Sequence, residues 1–265
     1  GGVEVMSMVP IGAAVKDGYD AGHGLPFDSE GMKERYPGVF FSQFTGAELV
    51  ADKWNLSRED LDKFALESHE KAAHATESKY FDREILPVEG KNAEGLNDLV
   101  MQDEGIRFDA SLDKLAGLNP VTEGGVITAG NASQITDGAA AVVICNDAGL
   151  KKIKKNPRAE IVSISVVGDD PVFMLTGPIP ASFKALETAN LSIDDMDLYE
   201  VNEAFAPVPL AWAADLKADR TKLNVNGGAM ALGHPLGATG AKLMTTMLHE
   251  LERREGKYAL QAICE

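Results

Sequence analysis

The sequence predicts an α/β fold built on a mostly parallel sheet, and two observations carry that reading. From about residue 158 onward, strand-like apolar runs alternate with amphipathic stretches at helical spacing. Strands that alternate with helices imply parallel pairing through right-handed crossovers. Upstream, residues 139–145 form an uninterrupted apolar run, as expected of a strand covered on both faces.

Taken in order, residues 1–50 read as loop-rich, because paired glycines with Pro10, Pro26 and Pro37 interrupt any long element. Phe27, Tyr36, Phe40, Phe41 and Phe44 mark this loop as one that packs against something. Helical spacing returns at Thr45, with Ala47, Val50, Ala51 and Trp54 on one face. A second helix starts after Ser57 as N-cap, with Asp60 at the capping-box position and Leu61, Phe64, Ala65 and Ala72 inward. It is expected to run to about Tyr80. Residues 81–125 read as short extended pieces and turns, including 84–88 and 112–115. Beyond them, strands are expected at 161–167, 197–201, 223–225 and 258–264, and helices around 183–189, 207–217 and 240–254. Ser192 and Asp195 form a capping pair that opens a short turn.

With 265 residues the chain holds one large domain or two smaller ones. Its 45% apolar and 25% charged content are those of an ordinary globular protein. A formal charge of −16 argues against nucleic-acid and anionic-membrane partners, since no basic surplus exists to meet phosphates. Lys151, Lys152, Lys154 and Lys155 form the only dense basic run and read as a solvated loop or helix end. No apolar run has the length of a membrane span. The two cysteines, Cys145 and Cys264, are too few for a disulfide framework, which points to a reduced, cytoplasmic setting.

In doubly wound sheets ligands collect outside the carboxyl ends of the strands. Asn202, His234 and Cys264 each fall at such an end. His234 sits in a glycine-rich junction that runs from residues 223–225 into the helix carrying Leu243, Met244, Met247, Leu248 and Leu251. Helix N-terminal donors and the positive dipole end favour a neutral imidazole there. Cys264 suits either a thiolate nucleophile or an acid/base. His234 suits the base or an oxyanion donor, and Asn202 suits a group that holds water or a carbonyl. Such a set points to acyl transfer through thioester intermediates. Taken singly, each residue has a plainer use: a strand-end cysteine packs, and an asparagine after a strand caps or turns. Cys145, inside an apolar run, reads as a small core residue. His69 and His74, five apart on a helix, read as surface residues, and no cluster has metal-ligand spacing. The glycines around Met230 lack the Lys-Ser/Thr of a phosphate loop, which disfavours nucleotide hydrolysis.

Four blocks then carry a family resemblance. GGVEVMSMVP at the start, TAGNASQITDGAAAV, VNEAFA and NGGAMALGHPLGATGA, in that order, resemble the sequence blocks of the thiolases. The resemblance implies a five-layered αβαβα fold, present in part, with an inserted loop domain. It divides the chain into a loop domain at 1–122, the end of the N-terminal half at 123–157 and the C-terminal half at 158–265. It implies cleavage of 3-ketoacyl-CoA by CoA, or the reverse Claisen condensation, with CoA as substrate and no cofactor. Fatty-acid metabolism follows as the setting, β-oxidation in the degradative direction and synthesis in the other. His234 would activate a nucleophilic cysteine and line an oxyanion hole, Asn202 would hold a water of that hole, and Cys264 would move the proton at the acetyl α-carbon. Ser133 and Gly233 would border the CoA site, and a homodimer or homotetramer is implied. The family's nucleophilic cysteine precedes the first block, so the chain is expected to be a piece of a longer protein, inactive by itself and short of its last strand. The first sheet is then expected to expose apolar surface. A related condensing enzyme and a non-catalytic, CoA-binding or dimerising remnant are the alternatives. Residues 40–44 are expected to border the acyl pocket.

Overall fold

The computed structural model describes residues 1–91 and 95–264. β1 (Gly2–Val5) opens the chain, and two short helices follow, α1 (Ala13–Asp20) and α2 (Glu30–Arg35). The opening fifty residues are thus more regular than their glycines and prolines predict. Phe41 packs against both Phe27 and Tyr36, and Phe44 meets Phe205 edge-on at 5.4 Å, whereas Phe40 stays exposed. α3 (Gln43–Lys53) buries Ala47, Val50 and Ala51. α4 (Arg58–Glu77) begins in the capping box of Ser57 and Asp60 and buries Leu61, Phe64, Ala65 and Ala72. It ends three residues short of Tyr80. His69 is buried on α4 and accepts the Arg107 backbone N–H at 3.1 Å, so it is no surface residue; His74 alone is exposed.

β2 (Val88–Lys91) and β3 (Asn97–Val100) pair antiparallel. Residues 112–115 are helical rather than extended: Ser111 caps α5 (Leu112–Ala116) through the Lys114 N–H. β4 (Asp137–Ala140) pairs antiparallel with β1, Val3 facing Ala139. That ladder stops at Ala140. No described strand lies beside residues 141–145, so Val143, Ile144 and Cys145 stand exposed instead of forming a strand covered on both faces. The lysine run closes α6 (Asp147–Ile153), where Lys154 takes the left-handed C-cap conformation.

Residues 161–167 form no paired strand either. They run alongside α7 (Pro178–Ala189), to which Ser163 and Ser165 donate side-chain hydrogen bonds at the carbonyls of Ala185 and Ala181. Val162, Ile164 and Val166, on the other side, face outward and are exposed. After the capping box of Ser192 and Asp195 comes β5 (Leu198–Val201), buried throughout, then α8 (Pro207–Leu216), α9 (Ala229–Leu232), α10 (Leu236–Arg253) and β6 (Ala259–Ala262). β5 and β6 pair in parallel from Leu198 and Ala259 to Val201 and Ala262. Leu223 makes a single parallel bridge to Tyr199, less than the strand expected at 223–225. β5 is therefore the central strand.

α10 holds these pieces in layers. It packs against β1 and β4 on one side and against β5 and β6 on the other. α7 and α8 cover the far face of the β5–β6 sheet, where Trp212 meets Tyr199 at 5.3 Å and donates to Ser182 Oγ at 2.8 Å. α8 is apolar almost all round because it is buried almost all round. The order sheet, helix, sheet, helices supplies four layers. The outward face of the β1–β4 sheet is left exposed at Val3 (72%) and Val5.

Candidate functional site

The four sequence blocks meet at the start of α10. Glu4 of β1 accepts the Gly237 N–H at 3.0 Å, and a Cβ on Gly2 would fall 1.7 Å from the Gly237 carbonyl oxygen. Gly138 of β4 faces Pro235, whose Cγ would lie 2.7 Å from a Cβ at that glycine. The segment 131–134 runs beside the end of β5: Ser133 N–H donates to Ala204 O and Ala206 N–H to Asn131 O, both at 2.9 Å. Gln134 then braces the glycine turn, giving its amide protons to Met230 O (2.7 Å) and Gly105 O (2.8 Å) while its own carbonyl accepts the His234 N–H.

Gly233 precedes the histidine at φ 79° and ψ 162°, a conformation open essentially to glycine alone. A side chain there would also strike Thr136. The turn thus delivers His234 with its ring buried. Nδ1 lies 2.7 Å from Thr239 Oγ1, and Thr239 gives its single hydroxyl proton to Pro235 O at 2.9 Å. The hydroxyl can only accept from the ring, so Nδ1 carries the proton and Nε2 presents a lone pair. Asn202 Nδ2 donates to Nε2 at 3.2 Å. Burial, with the Lys242 ammonium adding to it, pulls the imidazole down to about 4. His234 is therefore neutral at pH 7, through desolvation more than through the helix end.

Asn202 follows β5 directly and is held there by its N–H, which donates to Ala262 O on β6 at 2.9 Å. Its side-chain Oδ1 is buried without a hydrogen-bond partner. An orphaned acceptor beside an unprotonated Nε2 is a place where a donor is wanted. Cys264 is buried two residues past Ala262, at the adjacent strand end. The structure thus joins Asn202 to His234 directly and puts Cys264 just past the end of the neighbouring strand.

Thr239 and Glu203 escape a reading of the sequence. The signal for Thr239 was its i+5 spacing from His234, in the first turn of the helix the histidine introduces. Glu203, next to Asn202, is fully buried, and burial pushes its carboxyl up. Glu200 on β5 is raised further, by burial and by Glu203 nearby. Among the described residues no group of three histidines, cysteines or carboxylates is placed to hold a metal ion, and no helix is long and apolar enough to cross a membrane.

Comparison with known proteins shows the family. Residues 1–148 match the family model of the thiolase N-terminal domain, and residues 155–265 that of the thiolase C-terminal domain. The chain belongs to the thiolase family. It is 51% identical to the steroid 3-ketoacyl-CoA thiolase FadA6 of Mycobacterium tuberculosis, over all of this chain and 64% of that protein. It is 42% identical to the mitochondrial 3-ketoacyl-CoA thiolase of Rattus norvegicus, over all of this chain and 67% of that one. Among solved structures, human mitochondrial 3-ketoacyl-CoA thiolase superposes with a TM-score of 0.80 at 46% identity, covering 83% of this chain and 55% of its own. Bacillus anthracis acetyl-CoA acetyltransferase gives 0.81 at 41% identity, covering 86% and 58%. The fold is thiolase-like, and the chain spans about two thirds of the length of the relatives it matches.

Proposed function

We propose that the protein is an acyltransferase of the thiolase type, which cleaves 3-ketoacyl-CoA with CoA or runs the reverse condensation. The observation that carries this is the neutral, buried His234, whose Nε2 lone pair lies against Asn202 at the carboxyl ends of β5 and β6. A base must hold a lone pair at working pH, and here it does. His234 takes the proton of a cysteine nucleophile as that thiol attacks the 3-keto carbon. Asn202, with its unpartnered Oδ1, fixes the water that helps hold the thioester oxygen. Cys264 returns a proton to the acetyl α-carbon as the carbon–carbon bond breaks; CoA thiol then accepts the acyl group and frees the enzyme cysteine. Ser133 and Gly233 border the CoA thioester, with no further cofactor.

Cys145 stands in an exposed segment after β4, and Cys264 has the second role, so the nucleophile is drawn from outside these 265 residues and the chain alone is inactive. The exposed Val3, Val162 and Ile164 support the same reading, since they are apolar faces that another part of the protein would cover. The remaining parts of the proposal are the division at 122 and 157, a homodimer or homotetramer, a reduced cytoplasmic compartment and an acyl pocket bordered by residues 40–44. The edge-on contact of Phe44 with Phe205, three residues from Asn202, supports the last of these.

The test is thiolysis of acetoacetyl-CoA by a protein extended through the nucleophile-bearing segment. Substituting His234→Ala or Cys264→Ala should each lower kcat at least 100-fold, in line with the ~10²–10⁴-fold contribution of general acid–base groups. Undiminished turnover in His234→Ala refutes the assignment. Binding of acyl-CoA with no turnover in the extended parent supports the non-catalytic alternative instead.

A further inference from the structure

We infer that Glu203 is a positioning residue for the His234–Asn202 pair, acting together with Ser68 of α4; the inference rests on the acyl-transfer reading of that pair. The Glu203 carboxylate is buried and gathers the donors of the glycine turn. Oε2 accepts from Ser68 Oγ at 2.7 Å and from the Met230 N–H at 3.2 Å, and Oε1 accepts from Asn224 Nδ2 at 2.9 Å. Ser68 Oγ, having donated to Glu203, accepts the Gly228 N–H at 3.0 Å. A Cβ on Gly228 would lie 2.2 Å from Glu203 Cδ, so glycine is what lets the turn close over the carboxylate.

These contacts complete a ring. Asn202 is bonded covalently to Glu203, Glu203 holds Met230, the chain runs from Met230 through α9 to His234, and His234 Nε2 returns to Asn202 Nδ2. Its links are peptide bonds and buried hydrogen bonds, so the carboxylate helps fix the separation of the two side chains, together with the bonds from Gln134, Thr239 and Ala262. Ser68 ties this ring to α4, more than 130 residues earlier in the chain. Glutamate suits the place because a carboxylate only accepts, and all three groups that face it donate. An amide would turn an N–H toward one of them.

The experiment follows the five imidazoles of the chain by long-range ¹H–¹⁵N NMR, with the His234 signal assigned through its loss in His234→Gln. In the unsubstituted chain His234 should stay neutral and protonated at Nδ1 down to pH 5. In Ser68→Ala, water reaching the loosened turn should raise its titration midpoint by about one unit toward that of a solvated histidine, and Ser68→Thr should restore it. Glu203→Gln should move the midpoint in the same direction. Wild-type titration and tautomer in folded Ser68→Ala and Glu203→Gln overturn the inference, whatever stability they lose. Should neither variant fold, hydrogen exchange of the unsubstituted chain decides: Gly228 and Met230 amides should be among the slowest outside the strands, and exchange at open-loop rates overturns it. None of these readouts needs turnover. Failure of the thiolysis assay therefore strikes the proposed reaction alone.

Discussion

Glu84 should make the protein less stable as pH rises toward neutrality. It lies between the end of α4 and β2 and reaches across to α10, where Oε1 accepts from Thr246 Oγ1 at 3.1 Å. Oε2 is 3.2 Å from His249 Nδ1, a separation short enough for an ion pair. That N–H, however, already serves the Thr245 carbonyl at 2.9 Å, and Oε2 is left without a hydrogen-bond partner. A single N–H aimed at a carbonyl has little left for a carboxylate. Burial accordingly pushes Glu84 from its ordinary 4.5 up to about 7, and Asp103 and Glu250 add to this against the Thr246 bond and the Lys242 ammonium.

The native state thus holds a proton between about pH 4.5 and 7 that the unfolded chain has released. Stability contributed by the neutral acid is complete below pH 4.5, declines through this window and is gone above it. At ~1.36 kcal/mol per unit the whole effect is about 3 kcal/mol. Urea denaturation of the parent and of Glu84→Gln, at pH 5 and pH 8, isolates it. Glutamine mimics the neutral acid, so the two should agree within about 1 kcal/mol at pH 5. At pH 8 the variant should gain on the parent by a further ~2–3 kcal/mol, because part of the effect is already lost at pH 5. A difference that is the same at both pH values, to within about 0.5 kcal/mol, refutes the reasoning, since no proton would then be linked to folding through Glu84.

Two further substitutions test local claims. Ser57→Ala removes the hydroxyl that caps α4 through the Asp60 N–H and should cost about 1 kcal/mol in chemical denaturation; an unchanged midpoint would mean that water serves this helix end equally well. Thr239→Val strands the Nδ1–H of His234 in a buried site and should cost ~1–3 kcal/mol in chemical denaturation, whereas Thr239→Ser should keep the bond and the stability. A Thr239→Val protein as stable as the parent would remove Thr239 from the site.

What could be read from the sequence is what local chemistry decides. The box at Ser57 and Asp60 closes within one turn, and the inward face of α4 follows from its own period. β5, α7 and α8 were legible for the same reason. Apolar runs were not, because burial of a strand is a property of its neighbours. Residues 139–145 pair only as far as β1 reaches along them, and residues 161–167 turn their serines toward α7 and Val162, Ile164 and Val166 outward. His69 looked like a surface residue until residue 107 came to sit on it.

The site divides along the same line. The motifs placed Asn202, His234 and Cys264 at strand ends, because each block carries its own turn chemistry. Spacing could not tell which ring nitrogen of His234 holds the proton, since Thr239 and the Pro235 carbonyl settle that through the path of one hydroxyl hydrogen. Nor could it show that Glu4, Gly138, Gln134 and Glu203, from three other blocks, all bear on the fourteen residues between Asn226 and Thr239. The glycines of that stretch are better understood as space left for those neighbours than as flexibility. Gly228 clears the Glu203 carboxylate, Gly233 clears Thr136, and Gly237 lies close enough to β1 that Gly2 must also lack a side chain. Four blocks separated by dozens of residues thus constrain one another through a single turn, and for that reason their order and composition identify the family more securely than any one of them does.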